Sequence, residues 1–425
     1  MKIAVITLGC KVNKYESDAL IFTLRNSGNE ATDKLEFADA YIINTCAVTN
    51  EAEKKSRQMI ERCRKFNKNA KIFVIGCASQ NRPAQFQDKG VTYLQGVANK
   101  MEILNHLNET GEKVYPLPER YENDMFSAQT LSRAFIKVQD GCNNFCTYCI
   151  IPYLRGRSRS RDMQSVVEEV GKLPNSVKEV VLVGIDVSSY EQNGKKALID
   201  LLEKLDKFNL RLRLSSMEDN LVDEDFVLRL SKLKNFCPHF HLSLQSGSNE
   251  VLKKMNRKYT TAQFLNSVNL IRKYFPLAGI TTDVIVGFPT ETEENFLETV
   301  EFVKKVEFSN LHIFPYSKRD GTVASKLYKD LPKQVKMARW KRLEEVAEKL
   351  KADFIQKNTT FEVLIEEEED GYFVGYSKNY IRCYFKGNLR AGDIVKGKLK
   401  QPFKDGALLK SQINLSTFYK KNKNF

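Results

Sequence analysis

Apolar and polar positions fall into three rhythms along this chain. In the first, near-continuous apolar runs at Lys2–Leu8, Ala40–Thr45 and Lys71–Ile75 alternate with stretches of helical period at Tyr15–Ser27 and Asn50–Phe66. Strands apolar on both faces, separated by helices, predict a parallel α/β sheet covered on both sides. A further strand–helix pattern follows, then a polar stretch around Pro116, Pro118 and Asn123 that reads as a linker. The second rhythm begins at Ala134. Strand patterns at Ala134–Val138, Glu179–Gly184, Arg211–Ser215, Phe240–Leu244, Thr281–Val286 and Asn310–Phe314 alternate with helical patterns at Asp162–Lys172, Ala197–Phe208, Asp223–Leu233, Thr261–Tyr274 and Thr292–Val306. Six βα units of this kind predict an incomplete TIM-like barrel. Pro332–Lys357 reads as one charged amphipathic helix around Trp340. After it, five short strands with glycine turns predict a small β-barrel: Phe361–Glu366, Tyr372–Tyr376, Ile381–Phe385, Asp393–Leu399 and Ala407–Gln412. The expected division is a domain over 1–115, a linker over 116–133, a barrel with its connecting helix over 134–357, and a β domain over 358–425.

Composition changes this picture little. A chain of 425 residues calls for two or three domains, and 42% hydrophobic with 28% charged residues is a soluble, globular balance. No run approaches the ~18 apolar residues of a membrane span. The chain opens on a strand, with no signal peptide, so a cytoplasmic protein with no membrane partner is expected. Charge adds more. Lys and Arg number 67 against 53 Asp and Glu, a net +14. That excess fits a polyanion such as nucleic acid, and equally a basic but unspecialised surface. Leu154–Arg161 carries arginines at 155, 157, 159 and 161. Such spacing is expected not to turn all four to a core, so the loop reads as a grip for phosphate or another ligand, or as a solvated basic loop. The acidic run Glu366–Asp370 is expected to point away from any polyanion. Tyr372, Phe373, Tyr376, Tyr380, Tyr384 and Phe385 divide between base stacking and barrel core. The Lys420–Lys423 end reads as a disordered basic tail.

Nine cysteines, an odd number in a chain without a secretory signal, argue for metal ligation in a reducing compartment rather than for disulfides. The strongest signal is Cys142-Asn-Asn-Phe-Cys146-Thr-Tyr-Cys149, a C-x3-C-x2-C spacing directly after a strand. Three soft thiolates can hold three irons of a cubane cluster and leave the fourth iron open. A zinc site short of one ligand, or three structural cysteines, are the other readings. A zinc site wants a nearby histidine, and His106, His239, His241 and His312 all lie far off in sequence. Cys10, Cys46 and Cys77 each follow a strand of the first domain. Ligands bind outside the carboxyl ends of parallel strands, so one site can collect all three; any one of them alone is an ordinary small core residue. Cys63, Cys237 and Cys383 fall outside both patterns and read as packing. The barrel's strand ends offer Asp186 and Ser188, Ser215 and Glu218, Ser243 and Gln245, and a turn at Gly287. Carboxyl ends of strands line a barrel's site, and each such Ser or Asp is as readily a helix cap.

The cysteine loop, with Phe145 and Tyr148 at its aromatic positions, resembles the signature of the radical S-adenosylmethionine (SAM) enzymes. Thr7-Leu-Gly-Cys-Lys-Val-Asn13, Ile43-Asn-Thr-Cys-Ala-Val48 and Ile75-Gly-Cys-Ala78 resemble the three N-terminal motifs of the methylthiotransferase family. The five-stranded tail is similar to the TRAM module of RNA-modifying enzymes. The resemblance implies two 4Fe-4S clusters, one on Cys142, Cys146 and Cys149 and an auxiliary one on Cys10, Cys46 and Cys77, with Asn13 and Asn44 as flanking donors. It implies SAM as co-substrate, contacted by Asp186, Ser188, Ser215, Glu218, Ser243, Gln245 and Gly287. The variant at Leu8–Glu16 is most similar to the branch that places a methylthio group at C2 of N6-threonylcarbamoyladenosine 37 in tRNA. That implies a tRNA anticodon stem-loop as partner, an electron donor and a sulfur donor of unknown identity, and a monomeric enzyme. Two related branches share both triads: one modifies isopentenyladenosine 37, the other a ribosomal-protein aspartate. A non-catalytic iron–sulfur protein that binds RNA or senses redox state is the reading from another class.

Overall fold

Residues 1–122, 125–127 and 131–411 are described by a computed structural model; Asn123, Gln412 and the Lys420–Lys423 tail lie outside them. In the first region β1 (Lys2–Thr7), β2 (Glu30–Thr32), β3 (Ala40–Thr45), β4 (Lys71–Gly76), β5 (Tyr93–Gln95) and β6 (Gly111–Lys113) form one sheet in the order β2-β1-β3-β4-β5-β6. Every pair in it is parallel. Successive residues of a strand face opposite sides. Ala4, Ile6, Tyr41, Ile43, Ile72 and Val74 therefore pack against Met59, Ile60 and Cys63 of α2 (Asn50–Phe66). Ile3, Val5, Ile42, Phe73 and Ile75 pack against Leu20, Ile21 and Leu24 of α1 (Lys11–Asn26) on the other side. The stretch read as a linker is strapped down: the Tyr121 hydroxyl donates to the Lys137 carbonyl at 3.0 Å, and buried Met125 accepts from the Tyr15 hydroxyl.

The second region builds β7 (Arg133–Lys137), β8 (Glu179–Val183), β9 (Arg211–Leu214), β10 (His239–His241), β11 (Gly279–Val286) and β12 (Asn310–Pro315). Parallel pairing runs β7-β8-β9 and β10-β11-β12. Single parallel bridges, Leu212 to Phe236 and Met217 to Leu242, join the halves. The result is one curved, open sheet with β7 and β12 at its edges. β10 ends earlier than the pattern Phe240–Leu244 suggests, because the Leu244 N–H goes to the Thr282 hydroxyl and Gln245 turns at φ +66°. Beyond β12, Arg319 pairs with Glu53 and Asn50 of α2 and ties the two regions together.

A single long helix, α10 in a count that includes α3 (Cys77–Asn81), α4 (Ile151–Arg155), α5 (Met163–Gly171), α6 (Leu198–Leu205), α7 (Glu224–Ser231), α8 (Thr261–Tyr274) and α9 (Glu293–Val306), runs over Lys333–Lys357. It leads to β13 (Thr360–Glu369), β14 (Tyr372–Ser377), β15 (Arg382–Phe385), β16 (Ile394–Phe403) and β17 (Gly406–Ser411). These close into a barrel in the order β13-β14-β15-β17-β16.

The small barrel docks on the amino ends of the larger one's strands. Glu179, the first residue of β8, is fully buried and receives Arg133, Arg211 and Arg213. Arg213 also donates to the Ser377 and Lys378 carbonyls, and Arg133 reaches Glu366 at 2.6 Å. Tyr380 stacks on His239 at 4.4 Å and on Tyr376 at 4.7 Å. One expectation changes and another divides as read: Glu366 faces this joint instead of pointing away, while Tyr384 and Phe385 go to the barrel core and Tyr376 and Tyr380 pack within the joint. Burial opposes ionisation of Glu179, but Arg213 and Arg133 outweigh it and hold the carboxyl down at about 2. Glu179→Ala would strand three guanidinium groups in the joint. Its expected effect is a loss of about 3–5 kcal/mol in urea unfolding, the usual result of removing one member of a buried ion cluster. A loss under about 1 kcal/mol would mean that the arginines find other partners.

Candidate active site

β1, β3 and β4 lie side by side, so the residues after their carboxyl ends, Cys10, Cys46 and Cys77, meet. Cys10 and Cys46 interact electrostatically with each other and with Cys77. Burial pushes the Cys46 thiol up to about 12. Gly9 makes the approach possible: at φ +95°, a Cβ there would stand 2.6 Å from the Cys46 Sγ. Asn13 and Asn44 lace the strand ends. The Asn13 side-chain amide donates to the Leu8 and Thr45 carbonyls at 2.8 and 3.0 Å, and Asn44 donates to the Asn13 carbonyl at 3.0 Å.

Cys142, Cys146 and Cys149 follow β7. The loop is held from several sides. The Asn144 N–H donates to the Cys142 Sγ at 3.4 Å, Arg257 to the Cys146 Sγ at 3.3 Å, and the Asn256 amide to the Phe145 carbonyl at 3.1 Å. Phe145 sits at φ +47°, its ring edge-on to Tyr153 at 5.6 Å and beneath the Arg157 guanidinium at 4.5 Å. Burial pushes the Cys142 and Cys149 thiols up to about 12. Among the described residues neither triad closes to the geometry of a single-ion site. A cubane cluster takes one thiolate per iron, so its ligands stand apart. Sulfurs that already receive N–H donors are suited to that chemistry.

Around the second loop the structure assembles Asp186, Ser188, Glu218 and Ser243. Asp186 accepts from the Asn144 amide at 3.3 Å and from the Ser188 N–H at 3.1 Å. The Ser188 hydroxyl accepts the Glu218 N–H at 2.7 Å, Glu218 pairs with Arg257, and Arg257 donates to the Ser243 carbonyl at 3.0 Å. Burial pushes the Asp186 and Glu218 carboxyls up. A cavity of about 170 Å³ opens here, lined by Asn144, Cys146, Glu218, Asp219, Arg257 and Tyr259. Among the described residues the buried Ser215 Oγ and Asp219 Oδ1 have no hydrogen-bond partner, which leaves acceptors and donors for a polar ligand. Neither Gln245 nor Gly287 is among the residues that line this cavity. Gln245 joins the ladder through its backbone, between Asp283 and Ile285. Gly287, at φ +70°, lies under α10, where a Cβ would meet the Lys336 Cγ at 2.3 Å. Asn256, Arg257 and Tyr259 escape sequence reasoning, since Met255-Asn-Arg-Lys-Tyr259 is an ordinary polar turn until folding sets it against the cysteines.

Between the triads lies a buried ion cluster. Glu16 of α1 pairs with Lys100, with Lys137 at 2.8 Å and with Arg155 at 3.1 Å. Asp140 pairs with Lys137 at 2.6 Å and Arg155 at 3.0 Å. Burial opposes ionisation of Glu16, but Arg155, Lys100 and Lys137 outweigh it and hold the carboxyl well below the usual range. The arginine loop is thus not solvated: Arg155, Arg159 and Arg161 are buried, Arg161 against Glu169, and Arg157 alone of the four is exposed. Spacing suggested otherwise because the carboxylates that receive these arginines lie outside the loop, from Glu169 eight residues on to Glu16 139 residues back.

Residues 136–303 match the model of the radical SAM superfamily, and residues 2–95 that of the uncharacterised protein family UPF0004. Over 96% of both chains the sequence is 38% identical to the threonylcarbamoyladenosine tRNA methylthiotransferase MtaB of Bacillus subtilis. It is 38% identical to the protein of that name from Aquifex aeolicus, over 93% of this chain and 99% of the other. It is 36% identical to the tRNA-2-methylthio-N(6)-dimethylallyladenosine synthase of Clostridium botulinum, over 92% of this chain and 89% of the other. Among solved structures the fold is similar to the radical SAM methyltransferase TsrM of Kitasatospora setae, with a TM-score of 0.54 at 15% identity, over 76% of this chain and 75% of that one.

The crowding at Gly9 is open to test. Gly28 has φ +80° with nothing within 4 Å of a Cβ, so Gly28→Ala should cost only the left-handed strain, about 1–2 kcal/mol. Gly9→Ala must also displace Cys46, and is expected to lose clearly more in urea unfolding and to speed alkylation of Cys46. Equal losses would show that Cys46 yields freely.

Proposed function

The chain belongs to the tRNA methylthiotransferase family within the radical SAM superfamily, and from that premise we propose that it places a methylthio group at C2 of N6-threonylcarbamoyladenosine 37 in tRNA. A 4Fe-4S cluster and SAM come with the superfamily. The finer reading gives this cluster to Cys142, Cys146 and Cys149 and a second cluster to Cys10, Cys46 and Cys77. The observation that carries it is that the two cysteine triads flank one buried ion cluster, with the helix after one triad packed beside the other. C2 is an aromatic C–H carbon without a leaving group, so its substitution calls for a radical. When bound, the clusters and SAM supply that radical and the place from which sulfur is delivered.

The chain's own residues bind and orient. Asp186, Ser188, Glu218 and Ser243, with the unpartnered Ser215 hydroxyl, offer polar contacts to SAM beside the second triad. Arg257 braces Cys146 against Glu218. Lys398 and Lys410 oppose each other across β16 and β17, exposed on the small barrel. Like charges directly opposite are destabilising by themselves, and a phosphate backbone would relieve them. No helix among the described residues is long and apolar enough to cross a membrane.

Three measurements test this reading. Anaerobically reconstituted protein should hold about eight irons, four per cubane, and the variant with Ala at 142, 146 and 149 about four. With Ala at 10, 46 and 77 instead, SAM cleavage to 5′-deoxyadenosine should persist while methylthiolation is lost. Four irons in the wild type would refute the two-site assignment. Anticodon stem-loops carrying either threonylcarbamoyladenosine or isopentenyladenosine settle the substrate. Methylthio product only on the second would overturn that choice and leave the chemistry standing.

A further inference from the structure

We infer that Arg155 is a positioning residue of the N-terminal cysteine site, holding its Nε–H on the Cys77 sulfur and thereby raising the reduction potential of the cluster bound there. The inference rests on the two-cluster reading. Arg155 closes α4, six positions beyond Cys149, yet its guanidinium lies within the other site. Nε donates to the Cys77 Sγ at 3.4 Å. Nη1 donates to Asp140 at 3.0 Å and Glu16 at 3.1 Å. Nη2 donates to the Asn13 Oδ1 at 2.6 Å and to Glu16 at 3.2 Å. A guanidinium has five N–H groups in a fixed plane. With both Nη nitrogens anchored, Nε cannot swing off the sulfur without unpairing a buried carboxylate.

A purely structural ion pair needs only the two Nη contacts. The Nε contact is additional, and it falls on a sulfur expected to bear a cluster. Reduction adds one electron and one negative charge to that cluster. A buried cation and a hydrogen bond on a ligand sulfur stabilise the added charge, because the interior screens it weakly. The same side chain thus shifts the N-terminal site toward easier reduction while belonging to the segment that carries the other triad.

The test uses the full chain with Ala at 142, 146 and 149, so that only the N-terminal site binds iron, titrated with dithionite and followed by electron paramagnetic resonance. Arg155→Lys keeps a positive charge beside Glu16 and Asp140 and loses the Nε–H. Arg155→Gln paired with Asp140→Asn removes one charge of each sign. In both, the midpoint is expected to fall by at least about 59 mV, a tenfold shift toward the oxidised form for one electron. If the paired variant does not fold, the lysine variant decides. Full iron with a midpoint inside that margin overturns the inference alone. A parent that binds no iron overturns the two-cluster reading, and the inference with it.

Discussion

Burying charge is tolerable only when every charge is answered, and this protein buries one cluster of six charged groups where its first two regions meet. Glu16 comes from α1, Lys100 from the turn after β5, Lys137 from β7, Asp140 from the strand's exit, and Arg155 and Arg159 from the loop beyond the second triad. Removing any one would strand its partners in a weakly screened interior. The cluster therefore acts as a register pin. It admits one arrangement of the two regions, and that arrangement sets where the two cysteine sites stand.

Much of this was legible beforehand. Continuous apolar runs located β1, β3 and β4 closely because a strand buried on both faces has no polar position to blur its ends. Both triads stood out by spacing and by their places after strands. Charge was misread in a consistent direction. Arg155 and Glu16 lie 139 residues apart, and Arg213 and the Lys378 carbonyl 165 apart. A pattern over a dozen residues cannot see such partners, so buried arginines look like a solvated loop and Glu366 looks like a free acid. Arg257 was hidden for the same reason, since its meaning lies in Cys146 and Glu218. At Gly287 the sequence could not show the passage of α10, which leaves no room for a Cβ.

The small barrel shows another side of long-range pairing. Its aromatics were candidates for stacking on bases, yet Tyr376 and Tyr380 glue it to His239 and Arg213 at the amino ends of the large barrel's strands. The loops that carry Cys142 and the polar wall leave the opposite ends.

Ile150 and Leu154, which flank and end the short helix after the second triad, are buried in the core of the first sheet with Ala78 and Val97. The apparent seam between the two recognisable halves of the sequence is therefore not where the molecule comes apart. Cutting the polypeptide near residue 134 would give one fragment with an open apolar groove and another with a greasy helix whose terminal Arg155 keeps Asp140 but has lost Glu16 and Asn13. Natural selection faces the same constraint: neither half can be exchanged for a foreign counterpart unless that short helix travels with the sheet it plugs. The unit of inheritance is the pair.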